Sequence, residues 1–233
     1  MKLPVETYGA GTSQKRIEDL ALVNGFGTYT DDVVIPGAAF GIVVRSPYPA
    51  AKIRGIDISR AMAADGLVGI IAAADLARDG IGPIPFMSTV AAPDGGAPRC
   101  QALPVLANDE VRYVGQPVVF VVAQTQNLAR DIAEMIEVDY VQGEHITELE
   151  RAAQIDAIQV DGATGNVVAE YRLGDAVQCD TALRLSAHRI SLCVINNRVI
   201  ATPIEPRSAI GQYDLEEGRW VLYCGNQGPH LTR

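Results

Sequence analysis

The sequence is short of cysteine and histidine, has no long apolar run and gathers no basic stripe, and each shortage removes a class of function. Its four cysteines, Cys100, Cys179, Cys193 and Cys224, form no Cys-x-x-Cys pair, which argues against a disulfide framework and against a zinc or iron–sulfur site within the chain. They read as ordinary reduced thiols. His145, His188 and His230 are widely separated, without a second histidine or a carboxylate at ligand spacing, so no protein-ligated metal is expected. The longest apolar runs, residues 67–74 and 118–123, fall short of the roughly 18 residues that a membrane helix requires, and no span is expected. The first residues hold no apolar segment of secretory length, no twin-arginine pair and no small-residue cleavage site, so the expected address is cytoplasmic. The formal charge is −9 and the basic residues are dispersed, which leaves no footprint for a phosphate backbone, and nucleic acid is not an expected partner. Ser46 lies in a turn without a Gly-x-Ser-x-Gly elbow, so a capping or turn role outranks a hydrolase nucleophile.

What is present suffices for a packed protein: 233 residues, 48% of them hydrophobic, fit one large or two small domains. Residues 1–22 are polar and read as an arm that orders against a partner surface, with packing expected at most over 20–23. Asn24-Gly-Phe-Gly27 reads as a turn; no strand precedes it and no helix follows, which disfavours a phosphate cradle. Residues 38–45 read as a buried strand stopped by Ser46-Pro-Tyr-Pro49. Residues 52–57 alternate, Ser59 is placed to cap a short helix to Ala64, and residues 67–72 return as strand. The glycine and proline density of residues 80–104 predicts an irregular excursion without a helix, a functional or intersubunit loop as readily as a plain surface loop.

Residues 118–123 are continuously apolar, Thr125 is a helix cap, and Leu128, Ile132, Met135 and Ile136 share one helical face. With alternation over 136–141 this predicts a right-handed βαβ crossover. A short charged helix is expected at 147–150 and a boundary over 156–165. Beyond it, residues 166–171, 187–195, 208–214 and 220–224 read as strands, and 175–183 as a helix or turn. The fold class is α+β, a mixed α/β chain, without internal repeats or heptads.

Four segments recur in one order: Val44-Arg-Ser-Pro-Tyr48, Val114-Gly-Gln-Pro-Val118, Thr202-Pro-Ile-Glu-Pro-Arg-Ser208 and Gly225-Asn-Gln-Gly-Pro-His230. Together they resemble the N-terminal portion of the molybdenum-binding large subunit in the xanthine dehydrogenase and aldehyde oxidase family, which includes the carbon-monoxide dehydrogenase large chain. The resemblance runs from about Arg16 to the last residue. It implies an N-terminal arm (1–22), a hammerhead-type α/β domain (23–145) and the truncated start of a molybdopterin-binding domain (146–233).

The implied cofactor is a molybdenum-pterin of the molybdopterin cytosine dinucleotide type, completed by a missing C-terminal half or a longer molybdenum-binding partner chain. Iron–sulfur and flavin subunits are the other implied partners. The implied reaction hydroxylates an aldehyde, an N-heterocycle or a similar electron-poor carbon with oxygen from water. Gln227 takes the place of the family glutamine whose amide faces the metal's oxo group, and Gly225 and Gly228 would let backbone approach a bulky cofactor; the plainer alternatives are that Gln227 starts a helix and the glycines serve a strand-to-helix turn. Glu205 is read as a structural carboxylate held by a positive group or backbone donors, because the family's catalytic glutamate falls beyond Arg233. No catalytic residue is therefore assigned, and the isolated chain, a truncated or separately encoded piece, is expected to be inactive. Arg45 and Gln116 either hold the hammerhead domain against the cofactor domain, or are solvated, or tie loops. Ser46-Pro-Tyr48 stands where relatives often have Ser-Pro-His, and neither version identifies a substrate. The alternative function is a non-catalytic interaction or scaffold module derived from the same fold.

Overall fold

The computed structural model describes residues 16–85, 90–93, 95–97, 102–154, 156–159, 166–197, 199, 200, 202–228 and 230. The chain forms two compact units: Met1–Pro36 with Leu192–Arg233, and Gly37–Ser191.

The first unit opens with helix α1 (Asp19–Val23). It stops where the N–H of Gly25, at φ +76°, donates to Leu22 O (3.2 Å) and that of Phe26 to Ala21 O (2.9 Å), a left-handed glycine stop. Packing expected over residues 20–23 is not found: Leu20, Leu22 and Val23 are all exposed, because a single helical turn and a half buries nothing without a surface laid against it. A 3-10 turn follows at Thr30–Asp32, with Asp32 Oδ2 accepting from Tyr29 N–H at 2.8 Å.

The second unit carries β1 (Phe40–Arg45), β2 (Ala51–Asp57), α2 (Ser59–Met62), β3 (Leu67–Ile71), α3 (Ala73–Arg78), β4 (Glu110–Val111), β5 (Pro117–Ala123), α4 (Gln126–Glu134), β6 (Glu137–Gln142), α5 (Leu149–Ala152) and α6 (Ala176–Leu185). One three-stranded sheet has the order β1-β5-β3 and the other β4-β2-β6. Every pairing is antiparallel. Consecutive strands therefore belong to alternate sheets, and the expected right-handed βαβ crossover is not formed: β5 and β6 flank α4 but lie in different sheets. The same holds for β2 and β3 around α2. Hydrophobic period reports that a strand is buried, not which strand it pairs with.

Middle strand β5 carries the core residues Val118, Val119, Val121 and Ala123, and α4 packs on β5 and β1. Thr125 Oγ1 accepts from Leu128 N–H (3.2 Å) as the expected cap. Ile132 is 1% exposed, with Ala129 and Ile136 also buried and Leu128 and Met135 packed on the same core. Burying a side chain of the size of Ile132 contributes about 1.5–3 kcal/mol.

At α2 the capping side chain is Asp57, not Ser59; its Oδ1 accepts from Ser59 N–H at 2.9 Å, so Ser59 is the first helical residue. Helix α3 was not anticipated. It begins where Asp75 Oδ2 accepts from Ala72 N–H (2.8 Å), with Arg78 Nη1 donating to Asp75 Oδ1 (2.9 Å). The short charged helix expected at 147–150 lies two residues later, as α5. Within the excursion of residues 80–104, an isolated bridge joins Ile84 and Leu103; residues 86–89, 94 and 98–101 lie outside the described set.

Helix α6 starts on Asp175, whose Oδ1 accepts from Gln178 N–H (3.0 Å). Residues 166–171 and 187–195, expected as strands, form none. Val167, Val168 and Tyr171 are exposed in the first segment, and Ile190, Leu192, Val194 and Ile195 in the second. Their composition suits a strand, but a ladder needs a partner, and none is supplied among the described residues.

The first unit closes with hairpin β7 (Ala209–Asp214) and β8 (Arg219–Cys224), in register from Ala209↔Cys224 to Asp214↔Arg219. Asp214 Oδ1 accepts from Glu216 and Glu217 N–H (3.0 and 3.1 Å) to build the connecting turn. Tyr213 and Trp220 stack across the ladder with ring centroids 5.0 Å apart.

Candidate functional site

At the open end of the β7–β8 hairpin the chain arrives through Glu205-Pro-Arg-Ser208 and leaves through Gly225-Asn-Gln-Gly228. Pairing of Ala209 with Cys224 brings these two motifs, some 20 residues apart in sequence, to one place. Asn226 organises the departing segment: its Oδ1 accepts from Gly228 N–H at 3.0 Å and its Nδ2 donates to Cys224 Sγ at 3.3 Å. This is an Asx turn. Gln227 sits at its crest, exposed, and its amide makes no hydrogen bond among the described residues. Asn226 was not singled out from sequence, although asparagine beside a glycine is a common former of such turns.

Gly225 does not have a positive φ, and a Cβ there would meet only Glu205 Oε2, at 3.6 Å, an ordinary contact. Nothing among the described residues requires its lack of a side chain. Glu205 is half-buried, and its Oε1 accepts from both the N–H (2.8 Å) and the hydroxyl (2.9 Å) of Thr30. The carboxylate thus takes the structural form expected of it, with a backbone donor as partner. Thr30 itself, buried in the 3-10 turn, was not foreseen, because nothing in its local sequence marks it as the partner of a residue so far along the chain.

The other two recurring segments meet in the second unit. Val44-Arg-Ser-Pro-Tyr48 ends β1, and Val114-Gly-Gln-Pro-Val118 leads into β5. Arg45 pairs with Pro117, Ser46 N–H donates to Gln116 O (2.9 Å), and Gly115 N–H donates to Ser46 O (2.8 Å). Arg45 Nη1 donates to Gly115 O (2.8 Å), and buried Gln116 accepts from Arg112 N–H through Oε1 (2.7 Å). Gly115 has φ +89°, a conformation that penalises any side chain. Arg45 and Gln116 therefore tie loops, one of the roles open to them from sequence. Ser46 Oγ accepts from Tyr48 N–H and donates to Tyr48 O, both at 3.0 Å, a turn role. Tyr48 and Tyr140 stack edge to face at 5.2 Å, and burial pushes the Tyr140 hydroxyl's pKa up.

Cys179, Cys193 and Cys224 are free thiols, and Cys100 lies outside the described residues. Among the described residues no group of three His, Cys, Asp or Glu side chains is placed to hold a metal, and no helix is long and apolar enough to cross a membrane.

The family model for the aldehyde oxidase and xanthine dehydrogenase a/b hammerhead domain matches residues 24–144. The chain belongs to the aldehyde oxidase and xanthine dehydrogenase family. A second model, the molybdopterin cofactor-binding domain, matches residues 160–233, the span that holds Glu205 and the Gln227 turn. The carbon monoxide dehydrogenase large chain of Afipia carboxidovorans is 31% identical over 97% of this chain and 28% of its own length. The nicotine 6-hydroxylase large subunit of Paenarthrobacter nicotinovorans is 31% identical over 99% of this chain and 27% of its own. Among solved structures, quinoline 2-oxidoreductase from Pseudomonas putida 86 superposes with a TM-score of 0.77 and 32% identity, over 92% of this chain and 26% of that one. This member of the family thus spans little more than a quarter of the length of these relatives.

The residues at the hairpin's open end fit a molybdenum-pterin group. A pyranopterin and its phosphate present many acceptors, for which backbone N–H groups and a primary amide are suitable donors. Among the described residues the turn 225–228 offers an unengaged amide, two glycines and no charged side chain, and Gly225 leaves open a position that no described residue fills.

Proposed function

We propose that this chain supplies the hammerhead domain and one wall of the pterin site in a molybdenum-cofactor-dependent hydroxylase or dehydrogenase. The observation that carries the reading is the turn at 225–228, with its exposed amide and side-chain-free approach, inside the segment that matches the molybdopterin-binding domain. Residues 1–22 form an arm in this reading, 23–145 the hammerhead domain and 146–233 part of the cofactor domain.

When bound, the molybdenum-pterin supplies the two-electron oxidation that installs a water-derived oxygen on an electron-poor carbon. The contribution of these residues is to bind and orient. Gln227 donates its amide to an acceptor of the group, Gly225 admits the group close to the backbone, and Asn226 holds the turn in shape. The catalytic carboxylate comes from outside these 233 residues, which alone are expected to be inactive. Resemblance to bacterial large chains supports the cytosine dinucleotide form of the cofactor and iron–sulfur and flavin partner subunits. A cytoplasmic location belongs to the same proposal.

The substrate class is an aldehyde, an N-heterocycle or a similar small molecule, since the relatives named above act on carbon monoxide, nicotine and quinoline by their names. The test is recovery of the tagged chain from its native cells with elemental analysis of the complex. Molybdenum together with the remaining three-quarters of the relatives' length, on the same or a companion polypeptide, is the expected result. Replacing Gln227 by Ala in that complex should lower molybdenum occupancy or turnover roughly 10–100-fold, as loss of an outer-sphere partner commonly does. A metal-free chain without companions would overturn the proposal and leave a non-catalytic module.

A further inference from the structure

The two stretches that match family models differ in what they bury. Among the described residues every buried apolar side chain lies between Ala51 and Ala157, and the hammerhead stretch encloses a core of its own. Of the described residues in 160–233, which match the cofactor-binding domain, none is buried. A domain needs such a core, because its layers hold together by the apolar faces they hide. The deficit is sharpest at residues 190–195, Ile-Ser-Leu-Cys-Val-Ile. Ile190 is 93% exposed, Leu192 82%, Val194 74% and Ile195 82%. None of the six residues is charged, and none of their backbone N–H or C=O groups is hydrogen-bonded among the described residues. Dense exposed aliphatic surface beside a bare row of donors and acceptors is what a strand has before it joins a sheet. As a strand, the segment would put Ile190, Leu192 and Val194 on one face, which is then wholly aliphatic.

We propose that residues 190–195 are an interaction strand, which adds to the edge of a β-sheet carried by the part of the relatives' length outside these 233 residues. That such a remainder exists rests on the function proposed above; the strand says where and how it attaches. The occupant follows from size and need. These residues span little more than a quarter of the relatives' length, so most of a comparable molecule is left to supply the core that 160–233 lack. A second copy of this chain would bring the same coreless stretch and leave the deficit doubled.

The experiment is hydrogen–deuterium exchange at residues 190–195, in the 233-residue chain alone and in the native protein recovered from its cells. In the chain alone these amides should exchange like an unstructured peptide. In the native protein at least alternate amides should slow by about 100-fold or more, as edge-strand amides do in a stable ladder. Leu192→Asp puts a charge on the aliphatic face and should cut that protection at least about 10-fold. Leu215→Asp, at a residue 86% exposed but in the β7–β8 turn, should leave it unchanged. Ser191→Pro and Leu192→Pro each remove one N–H, and one of the two should release the strand, since edge-strand amides face the ladder alternately. Unaltered exchange at Gln212 and Val221 in the hairpin shows that each variant is folded. Free exchange at 190–195 in the native protein would overturn the proposal, as would protection that survives Leu192→Asp. Protection in the chain alone would also overturn it, through an internal partner if it is independent of dilution and through a second copy if dilution removes it. Molybdenum in a native protein whose residues 190–195 exchange freely removes this docking and leaves the cofactor reading, and protection without molybdenum does the reverse.

Discussion

Gln116 gives the sharpest energetic test of the joint between the two motifs in the second unit. Its side chain is 1% exposed, and its Oε1 accepts from Arg112 N–H at 2.7 Å. Replacement by leucine keeps nearly the same volume and removes the amide, its Oε1 acceptor included, so the packing term changes little and the polar term dominates. Losing a hydrogen bond that is only part-buried costs about 0.5–1.5 kcal/mol. Replacement by alanine adds an unfilled volume, and large-to-small changes at such sites cost about 2–5 kcal/mol. Urea unfolding at neutral pH, followed by far-UV circular dichroism, measures both. With m of about 1–3 kcal/mol/M, a loss of about 2 kcal/mol lowers the midpoint by roughly 1 M. Alanine should fall further than leucine. A leucine variant whose midpoint stays within about 0.2 M of wild type, at unchanged m, would refute the assignment of Gln116 as the acceptor that ties this loop.

Two further outcomes follow from the same structure. Ile132→Ala, at the centre of the face that α4 lays on β5, should cost about 2–5 kcal/mol in the same urea assay, and a loss below about 1 kcal/mol would mean that this face is not the core contact described. The Asp75 carboxyl is held below its ordinary pKa, first by Ala72 N–H and then by the Arg78 guanidinium. A carboxyl whose folded pKa is depressed contributes stability that is present above its unfolded pKa and lost as pH falls through the folded one. The contribution of Asp75 should therefore disappear below about pH 4. Asp75→Asn should lower the neutral-pH midpoint and flatten the acid limb, and an acid limb identical to wild type would exclude the linkage.

How far the sequence discloses this protein depends on the range of the interaction in question. The Thr125 cap, the α4 face, β5 and the β7–β8 hairpin are legible because each is set by residues within a few positions of one another. Sheet membership is not legible, because the partners of β5 lie on strands that are not its neighbours in sequence. The apolar pattern of residues 187–195 reads as strand, yet the segment pairs with no strand among the described residues: composition states a preference, and pairing needs a second strand. The turn at 225–228 is recognisable from its glycines and amide. The bond of nearby Glu205 to Thr30 is not, since a carboxylate gives no indication in sequence of which distant donor it will meet.

The alternation of consecutive strands between two sheets governs when this unit can begin to fold. Among the described residues neither β1 nor β3 has a sheet partner other than β5, so the described strands offer no local hairpin to start the first sheet. Phe40 and Leu67 both wait for Ala123, and Asp57 waits for Glu137 in the second. Loop closure over such separations must come before any ladder bond rewards it, which places the unit among slow folders dominated by non-local contacts. On the ribosome, at about 5–20 residues per second, the chain spends several seconds with β1 and β3 exported but unpaired. The first sheet then closes in one event when its middle strand emerges, and β5 acts as the keystone in time as well as in space.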